Sequence, residues 1–491
     1  MNAVEPVLLP AGPGGRMIAL YGGPLLLRGP LPVHSLIAHR RSWPEPDARP
    51  TVDALVRMLA QIDVQGRGGA GFPFARKLAA AAASTRTTAV VVNAAESEPG
   101  SSKDAGLMLA TPHLVLDGAE LVARALGVRE IHVVVSGNRP PVEAAVSRAL
   151  IQREGMVHWS VTPTSGGFVG GQSSAVLEML AGRPNRPVTK WSSAAAGDRR
   201  RPATLLSNAE TFAHTAALAA VGPAVYRQLG RHEEPGTTLL SVGGDGIVDV
   251  STAMVGEVQH GTSMVEVLGS LGGPPPAAVL LGGYHGIWVP WELMSQVTVS
   301  RHTALGGTPA LGPGIVLPLS AERCPLDVNA DIVAYLSSQR ARQCGPCEGG
   351  LPDLAAAARS LASGGPESVG AIDKVISIAR MVNGRGACSH PDGTARLAYS
   401  IAEAFPAEID AHEHGGCLVR SRAIGRRGPA ALTGAPRMIS PRSDEDGVGP
   451  GYGPESGPAR TGAVPTESAR TAPVPAETGR PAAVPMSGWR L

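Results

Sequence analysis

The stretch GRGGAGFPFARK, residues 66–77, decides how the rest of the chain is interpreted. It has the G-x-G-x-x-G spacing of a dinucleotide-binding loop, in which glycine lets backbone N–H groups approach a phosphate. A Rossmann loop must follow a strand and open a helix. Here apolar residues at helical spacing in TVDALVRMLAQI, residues 51–62, place a helix before the loop. The stretch therefore fails the Rossmann context, and alone it is equally consistent with a structural glycine turn.

Composition narrows the classes of function. The chain has 491 residues and a formal net charge of +2, so its charge does not indicate nucleic acid or an anionic membrane as partner. No apolar run reaches the roughly 18 residues that a transmembrane helix needs. The start, MNAVEPVLLPAGPGG, lacks the pattern of a secretory signal. Five cysteines in a chain of this length do not indicate a disulfide scaffold, and we expect a cytoplasmic protein.

Strand and helix patterns alternate after the glycine loop. TTAVVVNA (87–94) and EIHVVVSG (130–137) are β-branched runs typical of buried strands. HLVLDGAELVARAL (113–126) and PPVEAAVSRALI (140–151) have helical apolar spacing. This alternation predicts an α/β domain with a largely parallel sheet.

The remaining chain changes character twice. Short strands interrupted by glycine indicate a small α+β module, and helical spacing then extends from 326 to 412. After about residue 425, a Val-Pro repeat without an apolar face indicates disorder. We predict an N-terminal segment at 1–50, an α/β domain at 51–235, the small module at 236–310, a helical bundle at 311–420 and a disordered tail at 421–491.

Several longer motifs carry a family resemblance. The glycine stretch with Lys77 is followed by NAAESEPGSSKD (93–104), GGFVGGQSSAVLEMLAGRPNRP (166–187) and TLLSNAETFAHTAAL (204–218). ARQCGPCEGG and GRGACSHPDGTARL come later. In this order they resemble the flavin- and NADH-binding subunit of respiratory complex I. That family includes the diaphorase subunits of NAD-linked hydrogenases and formate dehydrogenases. The resemblance covers about residues 30–415.

The resemblance implies both architecture and cofactors. It implies an α/β FMN-binding domain, a β-grasp-like insert at 236–310 and a helical iron–sulfur bundle. In the family, a noncovalent FMN accepts hydride from NADH and passes single electrons to a [4Fe-4S] cluster, often onward to a thioredoxin-like [2Fe-2S] partner subunit. By match, the flavin site would comprise Gly66, Arg67, Gly68, Gly69, Gly71, Lys77, Asn93, Glu96, Gly171, Ser207, Asn208 and Thr211. Glu96, beside the flavin ring and able to tune it, is the catalytic candidate.

The departures from the family pattern lie at positions that the resemblance places beside the flavin and NADH. Ala95 stands where the family has aspartate, and Gln172 and Ser173 stand where it has two glutamates. Leu78 replaces an aromatic residue that would offer the nucleotide a stacking surface. Either these changes are tolerated in a working NADH oxidase, or the NADH site is altered or absent.

The iron–sulfur motif is incomplete. Cys344, Cys347 and Cys388 match three family ligands, but the first position of C-x2-C-x2-C is Ala341. A cubane normally takes four thiolates. The alternatives are a [4Fe-4S] cluster with one other ligand such as solvent, His390 or Gln343, a [3Fe-4S] cluster, or no cluster.

Two further cysteine features complete the set of motifs. Cys324 could fold back as a fourth cluster ligand, or it could be a small buried hydrophobe. HEHGGC, residues 412–417, has residue types that bind zinc but lacks a second partner set, so we expect a solvated helix end.

The motifs favour an electron-transfer flavo-iron–sulfur protein that passes electrons from NADH through FMN to a cluster. A related module that takes electrons from a ferredoxin-like protein, and a scaffold subunit without cofactors, stay open as alternatives. We expect a location in the cytoplasm or at the periphery of a membrane complex.

Overall fold

A computed structural model describes residues 5–45, 50–84, 87–153, 155, 157–189, 203–244, 252–302 and 311–421. The predicted disordered tail, with its Val-Pro repeat, lies outside these residues except for its first position. No helix among the described residues is long and apolar enough to cross a membrane.

The strands and helices of these residues follow in chain order. The strands are β1 Val7–Pro10, β2 Met17–Tyr21, β3 Ala89–Ala94, β4 Glu130–Val135, β5 His158–Pro163, β6 Thr204–Asn208, β7 Thr237–Val242, β8 Thr252–Gln259, β9 Ala278–Leu281, β10 Ile287–Pro290 and β11 Ile315–Leu319. The helices are α1 Leu36–Ser42, α2 Val52–Ile62, α3 Phe74–Ala83, α4 Lys103–Ala110, α5 Pro112–Leu126, α6 Pro140–Ile151, α7 Ser173–Leu180, α8 Ala209–Tyr226, α9 Met264–Gly269, α10 Pro325–Ser338, α11 Leu351–Ser363, α12 Ala371–Val382, α13 His390–Ala404 and α14 Pro406–Glu413.

The first sheet is fully parallel, as the alternating pattern predicts. Its strand order is β5-β4-β3-β6, and all three pairings are parallel. Val90, Val91 and Val92 of β3 are fully buried, because helices cover both faces of a parallel sheet. The chain leaves β3 toward β4 on one side and returns to β6 on the other. This reversal between β3 and β6 is where open α/β sheets place ligands.

The second sheet joins distant parts of the chain. Its order is β1-β2-β8-β7-β11-β9-β10, with parallel pairs at β2–β8 and β7–β11. The apolar pattern did not predict β1 and β2 within residues 1–50. β2 pairs with β8 from far along the chain, and β1 pairs with β2. The amides of Leu25, Leu26 and Leu27, after β2, donate to the buried Glu257 carboxylate of β8 at 3.2, 2.9 and 2.9 Å. β11 inserts between β7 and β9, so this sheet continues beyond residue 310.

Helices α10–α14 form the C-terminal region, as the helical spacing predicts. Their apolar faces share one core, in which Leu336, Leu354 and Ile401 are fully buried. A π-helical turn at Pro346–Gly350 precedes α11 and contains Cys347. Such turns are rare and often lie at functional sites.

Candidate functional site

A large cavity opens at the carboxyl ends of β3 and β6. Its volume is about 600 Å³, within the range of roughly 300–1,000 Å³ typical of ligand pockets. The glycine loop forms one wall, and Asn93, Ser207 and Asn208 lie at the strand ends. The start of α13, including Ser389, forms the far wall. The cavity therefore lies at the topological switch point of the parallel sheet.

The glycine loop connects α2 to α3, which confirms that it follows a helix and not a strand. The Gly66 amide donates to the Phe72 carbonyl at 2.9 Å and closes the turn. Gly69 and Gly71 have φ values of 102° and 60°, which side-chain-bearing residues rarely adopt. All four predicted loop glycines line the cavity. Their backbone can therefore approach a bound group closely.

Arg67 and Thr211 support the loop from beneath. The Arg67 amide donates to the Thr211 hydroxyl at 3.0 Å. The Arg67 guanidinium is 3% exposed and lies 3.2 Å from the His260 ring. Thr211 is fully buried. This geometry gives both residues a role in fixing the loop, and direct contact with a flavin stays a prediction for them.

Two asparagines tie the strand ends to their surroundings. The Asn93 amide donates to the Gly171 carbonyl at 2.9 Å, which brings the start of α7 to the cavity. The Asn208 amide donates to the Asn93 carbonyl at 3.2 Å, and its oxygen caps α8 by accepting the Glu210 amide at 3.1 Å. At Gly171, a Cβ atom would lie 2.9 Å from the Ala95 carbonyl oxygen. Only glycine fits this approach without a shift of the backbone.

Lysine side chains add positive charge near the cavity. Lys77 lines the cavity and donates from Nζ to the Leu206 carbonyl at 3.1 Å. Lys103 also lines the cavity, and its Nζ contacts Asp104 at 2.7 Å and Glu210 at 3.0 Å. Burial raises the pKa of Asp104 to about 6. Although burial alone would raise it, Lys103 and the His214 hydrogen bond hold the pKa of Glu210 well below its usual range.

Lys103, Asp104 and Glu210 lie inside the matched motifs, but they were not among the predicted site residues. Lys103 and Asp104 close the stretch NAAESEPGSSKD, and Glu210 lies in TLLSNAETFAHTAAL. A lysine next to an aspartate was the available signal, since such a pair is seldom buried without a functional or structural reason.

Glu96, the predicted catalytic residue, caps helix α4. Its Oε1 accepts the Ser101 hydroxyl at 2.7 Å and the Asp104 amide at 2.9 Å. Its Oε2 accepts the Ala105 amide at 3.0 Å and lies 3.4 Å from the Arg139 guanidinium. A carboxylate at a helix N-terminus satisfies free amides and complements the helix dipole. The side chain borders the cavity while its oxygens point toward α4.

Glu98 is a second carboxyl group of the cavity wall, and it too was absent from the predicted site residues. Its side chain accepts the Tyr284 amide, and Gly283 leaves room for it, because a Cβ there would lie 2.1 Å from the carboxylate. Burial raises the pKa of Glu98 to about 8. A carboxyl group that titrates near neutral pH beside a cavity is a candidate for proton transfer.

Two of the predicted cluster cysteines, Cys344 and Cys347, lie at the π-helical turn, and the third, Cys388, precedes Ser389 of the cavity wall. The Cys347 amide donates to the Cys344 carbonyl at 3.0 Å. Burial raises the pKa of the Cys388 thiol, whereas Gln172, which lines the cavity, favours its thiolate form. Burial and the neighbouring Cys344 thiol raise the pKa of Cys347 to about 11. A residue of the cavity wall thus influences the charge of a predicted cluster ligand.

The proposed substitutes for the missing thiolate differ in their surroundings. Ala341 itself is 6% exposed and packs in the helical core. Both His390 nitrogens are engaged, Nδ1 with His285 at 3.0 Å and Nε2 with the Leu336 carbonyl at 2.8 Å. Gln343 is exposed. His390 would have to give up a hydrogen bond to bind iron.

One expectation about the end of the helical region is wrong. HEHGGC was expected to be a solvated helix end, yet His412 is fully buried and Cys417 is 6% exposed. Cys324 is likewise buried and lies 3.5 Å from the His412 ring. These residues pack inside the base of the helical region, where apolar neighbours exclude water.

Comparisons with known proteins match both halves of this arrangement. Residues 59–217 match the model of the Nuo51 FMN-binding domain, and residues 327–412 match that of the NADH-ubiquinone oxidoreductase-F iron–sulfur binding region. The second F-type NADH-quinone oxidoreductase subunit of Rhizobium meliloti (strain 1021) is 26% identical over 384 residues, which cover 74% of this chain and 89% of the relative. The corresponding F-type protein of Rhodobacter capsulatus is 24% identical over 400 residues, covering 77% of this chain and 90% of the relative.

A solved structure has the same fold. The NAD⁺-reducing [NiFe]-hydrogenase in the H2-reduced state aligns with a TM-score of 0.69 and 22% identity, over 85% of this chain and 74% of that one. The two family models occur in the predicted order, one on the parallel sheet and one on the helical region. The chain therefore has an FMN-binding region and an iron–sulfur binding region that match those two family models, and it is similar over most of its length to F-type NADH-quinone oxidoreductase subunits.

Proposed function

We propose that this chain is a flavo-iron–sulfur electron-transfer protein, which passes electrons from NADH through FMN to an iron–sulfur cluster. The observation that carries the proposal is the continuity of one cavity from the glycine loop to the start of α13, beside Cys388. Such a cavity would hold a flavin within reach of the cluster ligands.

The cavity residues fit FMN. The cavity holds about 600 Å³, and glycines form one wall, so a planar ring system can lie close to the backbone. We propose that the loop amides and Lys77 hold the phosphate and ribityl chain, and that Asn93, Ser207 and Asn208 border the ring. FMN bound there supplies hydride acceptance and single-electron release. The chain fixes the loop through Thr211 and keeps the ring site buried between two sheets and α13.

The cysteines fit an iron–sulfur centre bound mainly by thiolates. Cys344 and Cys347 flank the start of the π-helical turn, and Cys388 lies two residues before α13. We propose that they bind a [4Fe-4S] cluster, or a [3Fe-4S] cluster where Ala341 leaves one iron without thiolate. Gln172, on the cavity wall, favours the thiolate form of Cys388 that binding to iron requires.

We propose that Glu96 acts as a positioning residue for the flavin site. It fixes the start of α4, and α4 presents Lys103 and Asp104 to the cavity. Its charge also lies at the cavity border, where it can tune the flavin through space. The catalytic role expected for it would therefore act through the helix it holds.

One observation favours a second candidate function, a module that accepts electrons from a ferredoxin-like protein. Gln172 and Ser173 line the cavity and stand where the family has carboxylates. Neutral side chains thus replace the carboxylates that the family resemblance places beside NADH.

A spectroscopic experiment separates these functions. The full chain is reconstituted anaerobically with FMN, iron and sulfide, and the visible flavin absorbance is followed after adding NADH or a reduced ferredoxin. The first function predicts bleaching by NADH. Bleaching by ferredoxin alone supports the second, and a colourless protein contradicts both and leaves the scaffold alternative. Gly69→Ala, which strains the loop, should weaken FMN binding, whereas Gly269→Ala, with open space around its Cβ, should not.

The finer organisation belongs to the same proposal. We propose that residues 236–310, with β7–β10 and α9, are a β-grasp-like insert, whose sheet is extended by β1, β2 and β11 from outside the predicted bounds. We also propose a thioredoxin-like or ferredoxin-like [2Fe-2S] partner within a larger oxidoreductase complex. The relatives are named as subunits, which supports assembly. The expected location in the cytoplasm or beside a membrane complex stays a prediction.

A further inference from the structure

Four buried side chains meet at the base of the helical region, away from the flavin cavity. We call them the α14 cluster: Cys324, Glu408, His412 and Cys417. Their ligand atoms all lie within 4.8 Å of one another, and every member is buried. Clusters of this kind in a protein core need either a complete set of hydrogen bonds or a cation, because buried acids and thiols are otherwise costly.

The distances within the α14 cluster match a tetrahedral metal site. The His412 Nε2 lies 3.5 Å from the Cys324 sulfur and 3.3 Å from the Glu408 carboxylate. The Cys324 sulfur lies 3.9 Å from the same carboxylate. Zinc bonds of about 2.0–2.3 Å place neighbouring tetrahedral ligands about 3.3–3.8 Å apart. The distances among Cys324, Glu408 and His412 are therefore close to the edge lengths of a zinc tetrahedron, and the Cys417 sulfur lies within 4.8 Å of the other ligand atoms.

One sulfur of the cluster accepts a backbone amide, as metal-bound thiolates often do. Cys324 is the N-cap of α10, and its sulfur contacts the Glu408 carboxylate and the His412 ring. The Arg420 amide lies 3.5 Å from the Cys417 sulfur and donates to it. Such second contacts orient the ligands and support negative charge on sulfur.

The chain supplies these ligands from separate elements. Glu408 and His412 are four residues apart on one face of α14, Cys324 begins α10, and Cys417 follows the turn after α14. Two sulfurs, one imidazole and one carboxylate are a donor set that suits zinc. Four protein ligands leave no open position, which is typical of structural and not catalytic zinc.

We propose that the α14 cluster binds one zinc ion as a closed structural site that joins α10 to α14. The inference does not depend on the proposed function, because the site shares no residue with the flavin cavity or the three predicted cluster ligands. Its consequence is that the C-terminal helical region is held by a metal in addition to its apolar core.

Metal titration of the full chain tests this proposal. Anaerobically purified protein is stripped with a chelator and titrated with Zn²⁺ or with Co²⁺, whose visible spectrum reports tetrahedral thiolate ligation. The test pair is Cys324→Ser with Cys417→Ser, and the matched control pair is Cys344→Ser with Cys347→Ser. We expect one tightly bound metal that survives in the control pair and is lost in the test pair. Zinc should also raise the thermal midpoint of the control pair.

Three results would overturn the proposal. They are metal binding that disappears in the control pair, a control pair without a tetrahedral thiolate spectrum, and a Cys324–Cys417 disulfide found by mass spectrometry in place of the metal. If the test pair fails to fold, metal titration of the control pair alone still tests the zinc site. It keeps Cys324, Cys388 and Cys417, of which two belong to the α14 cluster. His412→Gln then provides a second variant, in which the Co²⁺ affinity should fall at least tenfold.

Discussion

Replacing Glu96 with glutamine tests whether this residue acts through helix α4. The wild-type carboxylate accepts the Ser101 hydroxyl and the amides of Asp104 and Ala105, at 2.7, 2.9 and 3.0 Å. Glutamine keeps the shape and one oxygen, which can retain the first two donors. Its NH₂ group then faces the Ala105 amide and the Arg139 guanidinium, which are donors themselves.

The expected loss of stability follows from these contacts. A buried donor left unpaired costs about 1–3 kcal/mol, and breaking a buried ion pair costs about 3–5 kcal/mol. Arg139 keeps its contacts with the Ser101 carbonyl at 2.6 Å and the Ser102 hydroxyl at 3.2 Å, which lowers the second cost. We therefore expect Glu96→Gln to reduce the free energy of unfolding by about 2–4 kcal/mol.

Urea unfolding followed by circular dichroism measures this change, and flavin fluorescence measures FMN affinity. Glu130→Gln is the control, because Glu130 is exposed at the start of β4. It should change stability by less than about 0.5 kcal/mol. We expect Glu96→Gln to weaken FMN binding together with stability. If stability and affinity match those of the control while the flavin potential shifts, Glu96 acts on the flavin directly and the helix-positioning argument fails.

Three further predictions concern separate parts of the chain. The pKa of Glu98 is raised from 4.5 to about 8, so its contribution to stability is complete below pH 4.5 and is lost as pH rises through about 8. Glu98→Gln should therefore gain thermal stability relative to wild type between pH 5 and 9, and parallel melting curves for both proteins would contradict this. Gly118→Ala places a Cβ 1.9 Å from the Phe212 carbonyl oxygen and should lower the free energy of unfolding in urea by at least about 3 kcal/mol. Gly269→Ala, the control, should leave it nearly unchanged, and equal urea midpoints for the two variants would refute the contact. Ala341→Cys should raise the iron content after anaerobic reconstitution, whereas the control Ala356→Cys, exposed on α11, should not. If Ala341→Cys leaves the iron content unchanged, position 341 lies outside the cluster.

Periodicity alone predicted most of the parallel sheet and the helical region. The run 87–94 became β3 at Ala89–Ala94, and PPVEAAVSRALI became α6 at Pro140–Ile151. These elements are local, because side-chain spacing determines which face of a strand or helix is buried. The glycine loop was also placed correctly, since the helix before it is strongly amphipathic.

Contacts between distant residues could not be predicted in this way. β1 and β2 depend on a parallel partner, β8, more than 200 residues later in the chain. The α14 cluster joins positions 324 and 412, whose side chains carry no shared pattern in the sequence. The family resemblance predicted Glu96 as a site residue, but its hydrogen bonds to the start of α4 could be seen only in the tertiary structure. Motif matching thus located the cavity residues, while the direction of each side chain depended on packing.

The central claim is that one chain holds a flavin and an iron–sulfur centre side by side. The most direct measurement is the visible and electron paramagnetic resonance spectrum of the anaerobically reconstituted full chain, before and after reduction. We predict flavin absorbance at one FMN per chain and, on reduction, the resonance of a reduced cluster, or its loss if the centre is [3Fe-4S]. A chain that stays colourless and without a resonance signal after reconstitution would contradict the claim.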